Sequence, residues 1–166
     1  MIKISIGSNI SNINLLNHKY DGKSISGKQN RDSIVNTALL YLHSPYLWGG
    51  KTPFGIDCSG FTQMVYKING YKLLRDAKDQ ATQGETLSFI EESEPGDLAF
   101  FHNKEDVIVH VGIILMDNHI IHASGKVRID RLDQTGIYNN EKNTHTHYLR
   151  YIKKIIWFIC FLIQQQ

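Results

Sequence analysis

Apolar residues in the first half of the chain recur at helical spacing. Ile34, Val35, Ala38, Leu39 and Leu42 share one face of a segment from Arg31 to His43. Asn30 or Asp32 stands where a capping side chain is expected. A second segment, Cys58 to Asn69, gathers Phe61, Met64, Val65 and Ile68 on one face and meets Gly70, a residue suited to ending a helix. Asp76 to Gln83 reads as a short third helix. From Asp97 the period changes to two, and strands are predicted over residues 98–102, 107–115, 119–123, 127–132 and 148–152. Helices that lead into a run of neighbouring strands give the α+β class, with the helices packed on an antiparallel sheet.

Loop length decides one register. If Met116-Asp117-Asn118 is a three-residue hairpin loop, Leu115 pairs with His119 and Gly112 with His122. His110 then lies on the same sheet face as His122, one diagonal step away, about 7–8 Å between backbones. A two-residue loop would put the two histidines on opposite faces, because side chains alternate along a strand. Asn118 tolerates the left-handed conformation that the longer loop demands. His119 faces away from the pair.

Composition adds boundaries. A chain of 166 residues, 42% hydrophobic, builds one core and at most a small appendage. A net charge of +2 with scattered Lys and Arg gives no basic groove for nucleic acid. Residues 1–28 read as a linker or the remnant of an upstream domain, without a basic stretch followed by a signal-like apolar core. That leaves open whether the chain acts in the cytoplasm or is exported. Residues 155–163 are an apolar run too short for a membrane span, which needs about 20 residues. Cys58 and Cys160 are the two cysteines, so a reactive Cys58 leaves no disulfide framework.

Cys58 carries the candidate chemistry. It opens the second helix, where unpaired backbone N–H groups favour an anion. That term is worth about 0.3–1 kcal/mol, while one pKa unit takes roughly 1.4 kcal/mol, so a neighbouring imidazolium has to supply the rest of a thiolate's stabilisation. His110 is the expected partner. Asp57 is the expected N-cap, and Ser59 and Gly60 keep the first turn small. A thiol, a base and an orienting group in this chain order suit nucleophilic catalysis.

Tyr46-Leu47-Trp48-Gly49-Gly50, Gly55-Ile56-Asp57-Cys58-Ser59-Gly60-Phe61, Pro95-Gly96-Asp97-Leu98-Ala99-Phe100-Phe101, His110-Val111-Gly112-Ile113 and Ile121-His122-Ala123-Ser124-Gly125 together resemble the successive blocks of the NlpC family. These are papain-like cysteine peptidases of bacterial cell-wall peptides. The resemblance covers about residues 31–154, giving a peptidase domain over 29–154 and an apolar tail over 155–166. It implies Cys58 as nucleophile, His110 as base, His122 as the group orienting the imidazole, and Tyr46 as an aid to the oxyanion. Asp57 and Ser59 are implied to receive the free amino end of a stem peptide. Trp48 reads, on its residue type, as a wall of the substrate pocket or a core residue. The implied reaction is hydrolysis of the γ-D-glutamyl–diamino acid bond in a peptidoglycan stem peptide or muropeptide, by a monomer without cofactor.

Three rival readings stand beside it. One is acyl transfer or amidase chemistry on the same scaffold, and another is a non-catalytic module that binds wall peptide. The third is a zinc site of Cys58, His110, His122 and His102, which lacks a close ligand pair such as Cys-x-x-Cys. His145-Thr146-His147 reads as a solvated pair in a polar loop.

Overall fold

In the computed structural model, which describes residues 3–156, α1 (Arg31–Leu39) starts at Asn30, whose side chain accepts from the Ser33 N–H at 2.9 Å. The helix stops four residues before His43. There the chain turns, with His43 at φ 69, and the His43 N–H donates to the Val127 carbonyl at 2.9 Å. The turn drives Tyr41 into the core, where its ring meets Phe61 edge-on at 5.9 Å. After a small hairpin of β1 (Lys51–Thr52) and β2 (Gly55–Ile56) comes α2 (Cys58–Ile68). Its Phe61 and Val65 are fully buried and Met64 nearly so, as the helical spacing requires. The third helix, α3 (Ala77–Gln80), is a single turn, shorter than the pattern suggests. Among the described residues no helix is long and apolar enough to cross a membrane.

Seven strands follow: β3 (Glu85–Leu87), β4 (Leu98–His102), β5 (Ile108–Leu115), β6 (His119–Ser124), β7 (Lys126–Leu132), β8 (Gly136–Asn139) and β9 (Thr144–Lys154). All pair antiparallel in the order β3-β9-β4-β5-β6-β7-β8. The long β9 pairs with β4 through one half and with β8 through the other, so six strands close into a ring. Closure leaves few unpaired edges. It also gives the sheet two apolar faces. The outer one (Leu98, Phe100, Val111, Ile113, Ile121) packs on the helices, and the inner one (Ala99, Phe101, Ile114, Ile120, Ile137) fills the ring. Alternation along β4, β5 and β6 supplies residues to both sets.

Gly136, where β8 begins, has φ 144 and lies against the His147 carbonyl, too close for any Cβ. The ring closes there because one residue lacks a side chain. β8 has only four residues and gives too short a pattern to read from sequence, and β9 begins four residues before the predicted strand.

The two ends take simpler forms. Before α1 the chain has one 3-10 turn, Ile13–Leu16, and is held to α2 by the Lys67 ammonium donating to the Gly7 carbonyl at 3.1 Å. At the other end Ile156 is 3% exposed within the main core, so the apolar run begins as core packing rather than as a free tail. Its remainder, with Cys160, lies outside the described residues.

Candidate active site

Asp57 organises the start of α2. Its Oδ1 accepts from the Gly60 N–H at 2.6 Å as the N-cap, and its Oδ2 accepts from the Gly49 N–H at 2.8 Å. One carboxylate thus ties the Tyr46–Ile56 loop to the helix end. Gly60 allows the loop to lie this close, since a Cβ there would run into the Gly50 carbonyl. Arg75 grips the same carboxylate at 2.6 and 3.2 Å and also donates to the Ser59 hydroxyl at 2.9 Å. Gln80, fully buried, holds the Arg75 loop in place through bonds to the Ser59 and Leu74 carbonyls, both 2.9 Å. Burial would raise the Asp57 pKa, but Arg75 and the two backbone donors outweigh it and hold the carboxyl below its ordinary value.

Cys58 follows as the first residue of α2, 8% exposed. β5 passes beside it, and the Val111 N–H, one residue from His110, faces the sulfur and favours its thiolate. Burial nevertheless pushes the thiol pKa up, and the Asp57 charge adds to that, so the helix end does not win as the sequence reading expected. Tyr46 is half-buried beside this group. Its pKa is raised by burial and then by the charges of Cys58 and Asp57. Trp48 stands out from the loop at 86% exposure.

The histidines adopt the register that the three-residue loop predicts: Gly112 pairs with His122 and Leu115 with His119, and Asp117 and Asn118 both have φ 56. His110 Nε2 and His122 Nδ1 are 2.8 Å apart, and His122 Nε2 is 3.0 Å from Asp130 Oδ2. Asp130 is clamped by Arg128, Nε to Oδ2 at 2.7 Å and a second guanidinium nitrogen to Oδ1 at 3.0 Å. Burial raises the Asp130 pKa, but His122 and Arg128 more than offset it, so the carboxyl is ionised at neutral pH. An ionised carboxylate only accepts, so His122 carries its proton on Nε2 and offers the Nδ1 lone pair. His110 must then donate from Nε2. Its Nδ1 is left unprotonated, the form in which a ring can take a proton from a thiol.

His147 completes the cluster. It stacks on the His110 ring at 4.2 Å and 29°. It lies on β9 rather than in a polar loop, so the solvated reading of His145-Thr146-His147 fails for this residue. Arg75, Arg128, Asp130 and His147 are candidate-site residues that the sequence alone does not single out. The available signal was alternation: Arg128 and Asp130 fall on the strand face that Ile120 and His122 share.

The zinc quartet does not assemble. His102 bonds elsewhere, its Nδ1 3.4 Å from Asp106. His110, His122 and His147 do converge, with one nitrogen each within 4.8 Å of the others. Their geometry suits a hydrogen-bonded chain better than an ion. Nitrogens on one zinc, each at about 2.0–2.1 Å, sit roughly 3.3 Å apart, wider than the His110–His122 contact. Stacked rings also aim their in-plane lone pairs alongside each other.

All three imidazoles are held below the ordinary histidine value of 6.5, first by burial: His110 well below, His122 below, and His147 down to about 4. The folded state therefore favours the neutral rings, and protons bind the unfolded chain better. Stability is fully present above pH 6.5, then falls as the pH drops, with the His147 share ending near about 4. Thermal melts should be flat above that window and drop steadily through it, and His147→Gln should make the drop smaller. A melting temperature constant across the window contradicts the neutral cluster.

Comparison with known proteins places the chain in a described group. The NlpC/P60 family model matches residues 43–147. Over 119 residues, 69% of the chain, there is 40% identity to the gamma-D-glutamyl-L-lysine dipeptidyl-peptidase of Bacillus subtilis (strain 168), of which the match spans 40%. Dipeptidyl-peptidase 6 of Lysinibacillus sphaericus is 38% identical over 63% of the chain and 37% of its own length. The crystal structure of an NlpC/P60 family protein from Bacillus cereus ATCC 10987 superposes with a TM-score of 0.66 at 28% identity, covering 78% of this chain and 41% of that one. The chain thus spans well under half the length of the curated relatives it matches. Because the family model takes in Tyr46, the Cys58 helix end and the histidine strands alike, the chain belongs to the NlpC/P60 family.

Proposed function

We propose that this domain is a cysteine peptidase that hydrolyses the γ-D-glutamyl–diamino acid bond of peptidoglycan stem peptides. The supporting observation is the chain of hydrogen bonds from His110 through His122 to Asp130, with Cys58 opening a helix next to the Val111 backbone of the His110 strand. The name of the Bacillus subtilis relative supplies the bond. The domain reading, residues 29–154 as the peptidase unit, is part of the same proposal, as is action as a monomer.

Thiol and imidazole are both neutral at rest, so His110 acts as a general base rather than as half of a standing ion pair. The Cys58 proton passes to His110 Nδ1 as sulfur attacks the γ-carbonyl carbon. The oxyanion is met by the Cys58 N–H and the Tyr46 hydroxyl. Collapse breaks the C–N bond, and His110 gives its proton to the departing amine, leaving a thioester on Cys58. Water, deprotonated by His110, then attacks the thioester. The γ-D-glutamyl acid leaves and the thiol is restored.

Asp57 and Ser59 are proposed to hold the free amine of the substrate. Arg75, Gly49 and Gly60 already fill the acceptor sites of Asp57, so the amine takes the lone pair left on the Ser59 hydroxyl, while the Asp57 carboxylate supplies the nearby negative charge. Trp48, exposed on the loop, offers a wall for the stem.

The test is mass spectrometry of L-Ala-γ-D-Glu-diamino acid peptides incubated with the protein. Release of L-Ala-γ-D-Glu and the free diamino acid supports the reading. Intact peptide overturns it in favour of a binding module, and products carried on an added amine favour acyl transfer.

A further inference from the structure

Resting on the peptidase reading, we propose that Asp130, clamped by Arg128, is a positioning residue that sets the protonation pattern of both active-site histidines and stabilises the imidazolium formed during catalysis. It never touches substrate. It acts through His122, which is 1% exposed, and it is itself 5% exposed.

The geometry leaves one consistent pattern. A carboxylate held by two Arg128 donors, at 2.7 and 3.0 Å, keeps a further lone pair on each oxygen, and His122 Nε2 takes the one on Oδ2 at 3.0 Å. That donation exposes the His122 Nδ1 lone pair, which forces the His110 proton onto Nε2 across 2.8 Å. Each ring has a single acceptor, so one buried charge dictates two tautomers in series. When His110 takes the thiol proton it becomes a cation within a buried site. The carboxylate is the nearest opposite charge along the chain of hydrogen bonds, while Arg128 works against that cation. The other groups facing the cluster are His147, stacked on His110; Glu141, which meets Arg128 at 3.2 Å from an exposed position; and Lys142, whose charge opposes protonation of His147. Tyr46, Asp57 and Arg75 stand on the Cys58 side of the site.

Two variants give opposite signs. Asp130→Asn removes the negative charge and leaves Arg128, so the His110 imidazolium is harder to form and the acid limb of kcat/KM moves to lower pH. Arg128→Gln removes the positive charge and loosens Asp130, so the limb moves to higher pH. Replacing a carboxylate that contacts the base directly costs about 10⁴ in kcat in the serine-protease triad. One intervening ring attenuates this, and Asp130→Asn should lower kcat about 10–100-fold with KM nearly unchanged.

The experiment is the pH dependence of kcat and KM for both variants and the wild type, with melting curves alongside. Alkylation of the Cys58 peptide by iodoacetamide, followed by mass spectrometry, gives a readout that needs no substrate. Asp130→Asn should slow alkylation on the acid side of neutrality. Limbs that shift in opposite directions, with slowed alkylation, support the proposal. Activity lost with unmoved limbs and unchanged alkylation overturns it, since a merely structural carboxylate would behave that way. If Asp130→Asn does not fold, the direction of the Arg128→Gln limb decides. If the wild type cleaves no stem peptide, the peptidase reading falls, and the alkylation profile still decides the role of Asp130.

Discussion

On the proposed peptidase mechanism, Cys58→Ala should lower kcat/KM for stem-peptide hydrolysis by on the order of 10⁵-fold, the scale seen when a nucleophile is removed from an acyl-transfer enzyme. The loss comes from the covalent step alone. The alanine leaves the Asp57 cap, the Gly49 and Gly60 bonds and the histidine chain intact, so substrate still binds and the oxyanion donors remain. Stability changes little, by about 1 kcal/mol, because one sulfur atom is withdrawn from a small buried site. Steady-state kinetics with a melting curve checks both halves. Residual activity within tenfold of the wild type would remove Cys58 from the mechanism.

Phe61→Ala should lower stability by about 3–5 kcal/mol, near the upper end for a single core residue. Phe61 lies one turn beyond Cys58 on α2, is fully buried and meets Tyr41 edge-on at 5.9 Å. Removing the ring opens a cavity where α1, α2 and the outer sheet face meet, and neighbours that are themselves buried cannot collapse into it fully. For a chain of this size the melting temperature should fall by about 10 °C. Phe61→Leu keeps most of the volume and should cost less than half as much. Below its melting point the alanine variant should keep measurable peptidase activity, because the N-cap of α2 is held by Asp57 and Arg75 rather than by the ring. Equal losses for leucine and alanine would mean that ring volume is not what holds the helix.

Helical and strand periodicity carried the parts of the fold that bury one face. The starts of α1 and α2, the hairpin from β5 to β6, and the pairing of Gly112 with His122 all follow from alternation and loop length. What escaped has a common cause. β8 has four residues, α3 is one turn, and the closure of the ring depends on one glycine against a distant carbonyl; none leaves a period long enough to read. The site divides in the same way. Cys58, His110 and His122 stand out because their residue types are chemically pointed and their order is suggestive. Arg75, Arg128, Asp130 and His147 are ordinary surface types in a sequence, and only tertiary pairing draws them in.

The electrostatics were the least legible. A cysteine at a helix end beside a histidine suggests an ion pair at rest. Burial decides otherwise, raising the thiol and lowering the imidazole, because desolvation outweighs a helix-end term of about 0.3–1 kcal/mol. In the proposed mechanism the proton transfer then belongs to the attack itself.

The central claim is that Cys58 carries the acyl group. Intact-protein mass spectrometry after rapid acid quench of the enzyme with L-Ala-γ-D-Glu-diamino acid tests it most directly. The account predicts a species heavier by the L-Ala-γ-D-glutamyl group, located on the Cys58 peptide and released by hydroxylamine as expected of a thioester. Release of the diamino acid by a protein that never gains this mass, and by Cys58→Ala at the same rate, would contradict it.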